Sequence, residues 1–194
     1  MHRVLPQQLI SDTIYLRQLT VDDAKQHYLD WLADKDVNRY LESRFENYTI
    51  DKLKDYINGF DGENRFLFGA FDIKIDNHIG NITLEVNPFH NTAYFGYLIG
   101  NKDYWGTPAA TEANCLILDF AFDVMNVRRV WGGIYKTNLP AAFNIHRLGF
   151  KREGILRDSL IDQGKITDGL QYGILKDEWK ESKKKFEKIK RIIR

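Results

Sequence analysis

A ten-residue segment in the middle of the chain, residues 104–113 (YWGTPAATEA), constrains the fold more than any other stretch. It follows a strand-like run at 94–99 and precedes a segment with apolar residues at helical spacing. We predict that Thr107 caps this helix and that Pro108 is its first residue, where a missing N–H is least costly. A strand, a small-residue turn and a helix start bring unpaired N–H groups together, so the segment predicts an anion site at the edge of a sheet.

The segments around this loop alternate between strand and helix patterns, without an internal repeat or a low-complexity linker. The predicted order is β-α-α-β-β-β-α-β-α-β-β. This order indicates one α/β domain, with a mostly antiparallel mixed sheet of about six to seven strands flanked by helices. The two helices after the first strand form an insert. We place the domain at residues 1–180 and a basic, helical tail at 181–194.

Charge and composition exclude several function classes. The chain has 28 Lys and Arg against 27 Asp and Glu, but nine of the basic residues fall at 176–194, so the rest of the chain is acidic and unsuited to nucleic acid. No stretch approaches the roughly 20 apolar residues of a membrane span, and no signal-peptide pattern is present, so we expect a cytoplasmic protein. The single cysteine, Cys115, cannot form an internal disulfide, and no spacing indicates a metal site.

The basic tail has two interpretations. Phe186, Ile189 and Ile193 recur at helical spacing within a run of lysines and arginines. Such a pattern can bind an anionic membrane or nucleic acid. Because the charge run is short, we favour a solvated segment whose apolar residues pack on the domain or on a partner subunit.

Residues 104–113 resemble the acetyl-coenzyme A loop of the GNAT superfamily of N-acetyltransferases, in the branch typified by ribosomal-protein N-terminal (alanine) acetyltransferases. Further similar motifs extend the resemblance over about residues 14–180: LR at 16–17, the YLDWL run at 28–32, LGF at 148–150, EGILR at 153–157, GKITD at 164–168 and YGILKDEW at 172–179. The resemblance implies an enzyme that moves the acetyl group of acetyl-coenzyme A to a primary amine. A homodimer is common in the family.

The resemblance also implies where acetyl-coenzyme A binds. The pantetheine arm is expected between the strands at 94–99 and 128–135, which part beside the loop. Three positions depart from the family pattern: Pro108 replaces the first loop glycine, Ala141 replaces a common serine, and Ile145 stands where other branches carry a tyrosine acid. The expected cofactor contacts are Leu98, Ile99, Trp105, Gly106, Thr107, Ala109, Ala110, Thr111 and Asn138.

Catalysis requires a group that accepts the proton of the amine and a group that protonates the leaving thiolate. Glu85 is the first candidate base, because it precedes the cofactor strand, although a surface carboxylate is the competing interpretation. Asp168 matches a family position and either orients the amine or pairs with Arg157. Asn138 contacts the arm in the family, and its other interpretation is a helix-start residue. The candidate acids are Tyr97, Tyr135 and Tyr172.

The insert between the first two strands is expected to select the acceptor. Aromatic rings with an interspersed arginine suit a sugar or nucleotide phosphate, although the same residues could bury the insert against the sheet. We therefore favour a nucleotide-linked amino sugar of surface-polysaccharide biosynthesis as acceptor. The alternatives are a protein N-terminal amine and a non-catalytic acyl-coenzyme A binding protein. The predicted acceptor contacts are Trp31, Tyr40, Arg44, Phe45 and His90.

Overall fold

The computed structural model describes residues 5–193 as one mixed sheet with helices on both faces. All neighbouring strands are antiparallel except β5 and β6, which run parallel. The strand order across the sheet is β7-β8-β6-β5-β4-β3-β2-β1-β9. The strands are β1 Leu9–Ile10, β2 Ile14–Gln18, β3 Arg65–Asp72, β4 His78–Asn87, β5 Thr92–Ile99, β6 Arg129–Tyr135, β7 Lys151–Asp162, β8 Lys165–Leu175 and β9 Ile192–Ile193.

Five α-helices flank this sheet in the described part of the chain. The second of them begins after Thr49, whose hydroxyl accepts a hydrogen bond from the Lys52 N–H at 3.3 Å, as expected for an N-cap. The third continues as a π-helical turn at Phe120–Val124. The helices are α1 Gln26–Ala33, α2 Ile50–Asn58, α3 Ala109–Asp119, α4 Leu139–Arg147 and α5 Lys176–Ser182.

Two hydrophobic cores lie on opposite faces of the sheet. The larger one packs α3 and α4 against one face, which we call the α3 face; Phe95 of β5 and Val130 of β6 belong to it. The smaller one packs α1 and α2 against the other face, which we call the insert face. Because strand side chains alternate between faces, Tyr94 and Leu98 of β5 point away from α3. Each strand near the cofactor loop therefore carries side chains on both faces of the sheet.

The predicted fold class is confirmed, but the sheet has nine strands within residues 5–193 instead of six to seven. The two additional strands, β1 and β9, have only two residues each and pair with one another at the sheet edge. A two-residue strand is too short to show an alternating pattern, so neither strand can be predicted from the sequence.

The C-terminal tail packs on the domain. Helix α5 ends at Ser182, a 3₁₀ turn covers Lys183–Phe186, and the Phe186 side chain is buried in the larger core. The helical prediction is wrong for Ile192–Ile193, which form β9. The carboxylate of Asp119 in α3 holds the tail through Arg191, 2.8 Å away. No helix in residues 5–193 combines the length and the apolar character needed to cross a membrane.

Candidate active site

The parallel strands β5 and β6 separate partway along their length. They pair at only three positions, the last of which joins Tyr94 to Trp131. Gly132 follows directly, and a Cβ there would lie 2.7 Å from the Phe95 carbonyl oxygen, so the two backbones are still close at this point. Beyond it the two strands continue side by side without pairing. The structure thus leaves an unpaired gap between the strands, here called the opening, at the place where the family resemblance implies the pantetheine arm.

The loop after β5 is shaped by local hydrogen bonds. Trp105 donates from its indole Nε1 to the Ile99 carbonyl oxygen at 2.8 Å, which folds the loop back on the end of β5. Gly106 adopts φ +76°, a conformation that favours glycine, and no heavy atom lies within 4 Å of the position that a Cβ would take. The backbone at Gly106 is therefore open to a ligand.

Only some of the predicted loop amides are free to bind phosphate. The Thr107 N–H donates to the Tyr104 carbonyl at 3.3 Å, and the Ala109 N–H donates to the Thr107 hydroxyl at 3.3 Å. Helix α3 accordingly begins at Ala109, one residue later than predicted, with Pro108 in helical geometry before it. Two of the five amides expected to contact the cofactor are thus used within the loop. Of the loop amides at positions 106, 107, 109, 110 and 111, those of Gly106, Ala110 and Thr111 donate to no acceptor among the described residues.

Asn138 lies where β6 leads into α4. Its side-chain oxygen accepts a hydrogen bond from the Ala141 N–H at 3.2 Å, so it is the N-cap of α4. The helix-start interpretation of Asn138 is therefore realised in the structure. Its side-chain Nδ2 donates to no group in the described chain and is the atom that a cofactor could still engage.

These features fit acetyl-coenzyme A. The opening between β5 and β6 can take the pantetheine arm, and the free amides at the start of α3 can hold the pyrophosphate. Gly106 leaves room for it, and Asn138 stands at the mouth of the opening. When bound, acetyl-coenzyme A supplies an activated acetyl thioester.

Two other side chains of α3 have structural roles. Glu112 is buried, and its carboxylate accepts hydrogen bonds from the N–H and the hydroxyl of Thr13, both at 3.0 Å. This links the cofactor helix to the turn before β2. Cys115 is fully buried, and burial raises the pKa of its thiol to about 12, so it is not a nucleophile.

On the insert face, a depression of about 560 Å³ lies beside the β4–β5 turn and reaches Tyr94 and Trp131, the last β5–β6 pair before the strands separate. Tyr94 and Trp131 form part of its wall, with their rings edge to face and 5.0 Å between centroids. Glu85 on β4 is the direct cross-strand partner of Tyr94, and His90 closes the depression from the β4–β5 turn. Two predicted site residues, Glu85 and His90, thus lie together with two rings that the sequence analysis did not select.

The Glu85 carboxylate makes few interactions with the rest of the described chain. Its side chain is 44% exposed, and its nearest cation is Arg65, at 3.8 Å. Burial and then the charges of Glu85 and Glu42 raise the pKa of the Tyr94 phenol. Two carboxylates, one from the sheet and one from the insert, therefore raise the pKa of the same side chain in the wall of the depression.

The insert reaches the end of β6 through Tyr135. The Tyr135 hydroxyl donates to the Glu42 carboxylate at 3.0 Å and accepts from Nη2 of Arg44 at 3.1 Å. The same Nη2 donates to the Ile161 carbonyl, and the guanidinium lies 4.6 Å from the centre of the exposed Phe45 ring. Arg44 and Phe45 thus lie near the end of β6, outside the lining of the depression, and their role as acceptor contacts stays a prediction. Glu42 was not among the predicted site residues.

A second link joins the insert to the final hairpin. Arg39 forms a bidentate ion pair with Asp162 at 3.0 and 2.9 Å, and this pairing lowers the pKa of the Asp162 carboxyl to about 2. Tyr40 donates its hydroxyl to the Thr137 carbonyl at 3.0 Å and packs its ring on Tyr135. Tyr40 is therefore mainly a docking residue of the insert.

Trp31 does not reach the acceptor side. It is only 9% exposed and packs in the smaller core, with His27 and His78 about 5 Å from its ring centre. A Cβ on Gly100 would lie 2.1 Å from the Trp31 ring, so this indole closes directly on the chain after β5. This burial argues against Trp31 as an acceptor contact.

Asp168 is held by a different cation than predicted. Its carboxylate pairs with Lys136 at 2.9 Å and accepts the N–H of Asp158 at 3.1 Å. The Lys136 ammonium lowers the pKa of this carboxyl. Asp168 thus fastens the bulge of β7 to the end of β6, and Arg157 is not its ion-pair partner. This engagement argues against a role in binding the amine.

Comparison with known proteins identifies the family. A family model described as acetyltransferase (GNAT) domain matches residues 13–151. The chain belongs to the GNAT family. The probable N-acetyltransferase YjcK of Bacillus subtilis is 28% identical over 175 residues, which cover 84% of this chain and 94% of YjcK. The chain is therefore an N-acetyltransferase that uses acetyl-coenzyme A as donor, as predicted.

Relatives with different acceptors are similar to the chain. The spermidine N(1)-acetyltransferase of Escherichia coli is 27% identical over 172 residues, covering 86% of this chain and 88% of that protein. The ribosomal protein uS5 alanine N-acetyltransferase of the same organism is 27% identical over 116 residues, 59% of each chain. The crystal structure of spermidine N-acetyltransferase from Vibrio cholerae in complex with coenzyme A and spermine has a TM-score of 0.76 at 23% identity, covering 86% and 98% of the two chains.

Proposed function

We propose that the acceptor is a small amine with a sugar ring, an amino sugar, bound in the depression on the insert face. The observation that carries this proposal is that Glu85 lines the same depression as the rings of Tyr94 and Trp131, which form the last β5–β6 pair before the opening. A sugar placed against Tyr94 and Trp131 would direct its amine past the point where the strands separate, toward the thioester. The depression, about 560 Å³, has the size of a small-molecule site.

The chemistry of the lining supports this assignment. Aromatic rings bind the apolar faces of sugars, and a carboxylate holds an ammonium group and can accept its proton. Glu85 has no hydrogen-bond donor among the described residues, so its carboxylate is available for both tasks. Transfer then needs the amine nitrogen, freed of one proton, to face the thioester carbon through the opening.

A nucleotide-linked sugar needs a phosphate contact as well. Arg44 uses only Nη2 for hydrogen bonds within the described chain, which leaves Nε and Nη1 for a phosphate oxygen. Arg44 is joined through Tyr135 to Glu42, whose charge acts on Tyr94. We place the phosphate of a sugar nucleotide at Arg44, which lies outside the lining of the depression and is connected to it through Tyr135 and Glu42.

A polyamine is a second candidate. Glu42 and Glu85 both act on the phenol of Tyr94, and two carboxylates suit an acceptor with more than one positive charge. The similarity to spermidine acetyltransferases points the same way. The two candidates differ in charge: a nucleotide-linked sugar needs Arg44, whereas a polyamine is repelled by it.

Coenzyme A release from acetyl-coenzyme A should distinguish the acceptors. The panel contains a nucleotide-linked 4-amino sugar, a free amino sugar, spermidine, and peptides that begin with Ala or Ser. We expect turnover with the nucleotide-linked sugar, and a higher KM for it in Arg44→Gln, because the phosphate contact is lost. Turnover with spermidine that Arg44→Gln improves would replace the sugar by the polyamine. Turnover only with peptides would make the chain a protein N-terminal acetyltransferase, and cofactor binding without any turnover would favour the non-catalytic alternative.

Two sequence predictions stay predictions. The first is the homodimer that is common in the family. The long edge strand β7 is where a second copy could pair, because Ile155 and Leu156 are each 48% exposed there. The second is the cytoplasmic location.

A further inference from the structure

Tyr97 lies in the part of β5 that has no partner on β6. It is three residues beyond the last β5–β6 pair, which is formed by Tyr94. Its ring is on the α3 face, 6.0 Å from the Phe95 ring and stacked with it. The ring is only partly buried, and its hydroxyl extends toward α4, where Nδ2 of Asn144 donates to it at 3.2 Å. The phenol thus stands between the opening and the two helices.

The hydrogen bond from Asn144 connects Tyr97 to the cofactor loop. The Asn144 side-chain oxygen accepts from the Thr111 hydroxyl at 3.3 Å. Thr111 is in the first turn of α3 and is one of the residues with a free backbone amide. A continuous chain of side chains therefore runs from the anion-binding helix start to the Tyr97 hydroxyl.

A second amide lies near the same phenol. Asn114 of α3 is fully buried, and neither its nitrogen nor its oxygen has a hydrogen-bond partner in the described chain. A buried amide without hydrogen-bond partners destabilises the folded protein unless another group forms those hydrogen bonds. Burial raises the pKa of Tyr97, whereas the amides of Asn144 and Asn114 act in the opposite direction, because both favour the phenolate.

The proton of Tyr97 is not committed to the protein. A phenol can donate one hydrogen bond and accept others, and Tyr97 only accepts, from Asn144. Within residues 5–193, no acceptor takes its O–H. Helix α4 offers no hydroxyl at Ile145, which is apolar and 3% exposed. Tyr97 is thus a phenol at the opening whose O–H donates to no described residue and whose oxygen accepts a hydrogen bond from the Asn144 amide, which would stabilise the anion left behind.

We propose that Tyr97 is the acid of the acetyl transfer and that its hydroxyl protonates the sulfur of coenzyme A. The amine nitrogen forms a bond to the acetyl carbon, the carbon–sulfur bond breaks, and its electron pair leaves on sulfur. The sulfur takes the proton of Tyr97, and the proton lost by the amine returns to the phenolate through water. The inference rests on the proposed function, because the reaction needs an amine acceptor.

Tyr97→Phe tests this role, since it removes only the hydroxyl oxygen. We expect kcat to fall about 100-fold, the low end for loss of a general acid, with KM for acetyl-coenzyme A unchanged. Tyr15→Phe is the matched control, because the Tyr15 hydroxyl bonds Asp76 away from the opening, and it should leave kcat unchanged. A Tyr97→Phe enzyme with the kcat of the wild type overturns the proposal.

A binding measurement gives a readout without turnover. The thiol of bound coenzyme A is titrated by the ultraviolet absorbance of its thiolate, after subtraction of the same titration with desulfo-coenzyme A. If Tyr97 donates to the sulfur, the bound thiol loses its proton at a lower pH in the wild type than in Tyr97→Phe. The same titration curve in both proteins overturns the assignment, even if kcat is reduced for a structural reason.

A second variant and the thiol titration cover the cases in which Tyr97→Phe does not fold or no amine is turned over. If Tyr97→Phe does not fold, Asn144→Ala removes one amide that stabilises the phenolate. It should lower kcat without changing KM for acetyl-coenzyme A, and an unchanged kcat contradicts the proposal. If the wild type turns over none of the amines, the proposed function fails, whereas the thiol titration still decides whether Tyr97 faces the sulfur.

Discussion

Replacing Glu85 with glutamine should lower kcat/KM for the amine acceptor about 1,000-fold, within the range found when a general base is lost. Glutamine has the same shape but cannot accept the proton of the ammonium group. The fold should not change, because Glu85 is 44% exposed and its contact with Arg65 spans 3.8 Å. The loss should therefore appear in kcat and not in the thermal unfolding of the protein.

The measurement is coenzyme A release at a saturating concentration of acetyl-coenzyme A, with the acceptor varied. Glu187→Gln is the matched control, since it makes the same chemical change on an exposed residue of the tail, and it should retain wild-type kinetics. A Glu85→Gln enzyme that keeps wild-type kcat would assign proton removal to water or to Glu42. A raised KM with unchanged kcat would limit Glu85 to holding the amine.

Replacing Gly80 with alanine should destabilise the fold by about 3 kcal/mol, the upper range for overpacking, and abolish acetyl-coenzyme A binding. Gly80 is on β4 opposite Ile99, where an added Cβ would lie 2.2 Å from the Leu98 carbonyl oxygen. The nearest obstacles are backbone atoms, so no side-chain rotation can relieve the overlap. The end of β5, which carries the expected cofactor contacts, would have to move.

Denaturant unfolding gives the stability change, and calorimetric titration with acetyl-coenzyme A gives the binding. Gly154→Ala on β7 is the control, because no heavy atom lies within 4 Å of the added Cβ and its backbone needs no special conformation. That variant should match the wild type in both measurements. Equal unfolding midpoints for Gly80→Ala and the wild type would show that β4 and β5 are not packed as the structure describes.

The parts of the fold that follow from local chemistry could be predicted from the sequence. Thr49 caps α2, and the strand–loop–helix around Gly106 forms where the turn residues and the helical spacing place it. Gly132 of β6 lies beside the Phe95 carbonyl, and paired glycines within a strand are a pattern that marks such a close backbone approach. Each of these features depends on a few neighbouring residues and on steric rules that hold in any fold.

The features that depend on distant partners could not be predicted. Asp168 pairs with Lys136 because a bulge in β7 and the end of β6 meet, and no spacing along the chain reveals this. Nothing in the sequence singles out Glu42, whose role depends on the docking of the insert at Tyr135, from where its charge acts on Tyr94. Trp31 was assigned to the acceptor because aromatic residues suit both cores and binding sites, and only burial distinguishes the two.

The hydrogen-bond partners of the loop amides could not be predicted, for a related reason. The sequence identifies every backbone N–H but not its partner. The Thr107 and Ala109 amides turned out to be satisfied within the loop, which leaves Gly106 and the start of α3 for phosphate. Alternation along β5 and β6 could have placed Tyr94 and Trp131 on the face of Glu85, but only with the register of three strands already known.

A crystal structure of the chain with coenzyme A would test the proposed site and the role of Tyr97 together. We predict the pantetheine arm in the opening between β5 and β6 beyond Tyr94, with the pyrophosphate at the free amides of Gly106, Ala110 and Thr111. The sulfur should then lie within hydrogen-bond reach of the Tyr97 hydroxyl and face the Glu85 side of the sheet. A coenzyme A molecule bound elsewhere, or one whose sulfur points away from the insert face, would contradict this prediction.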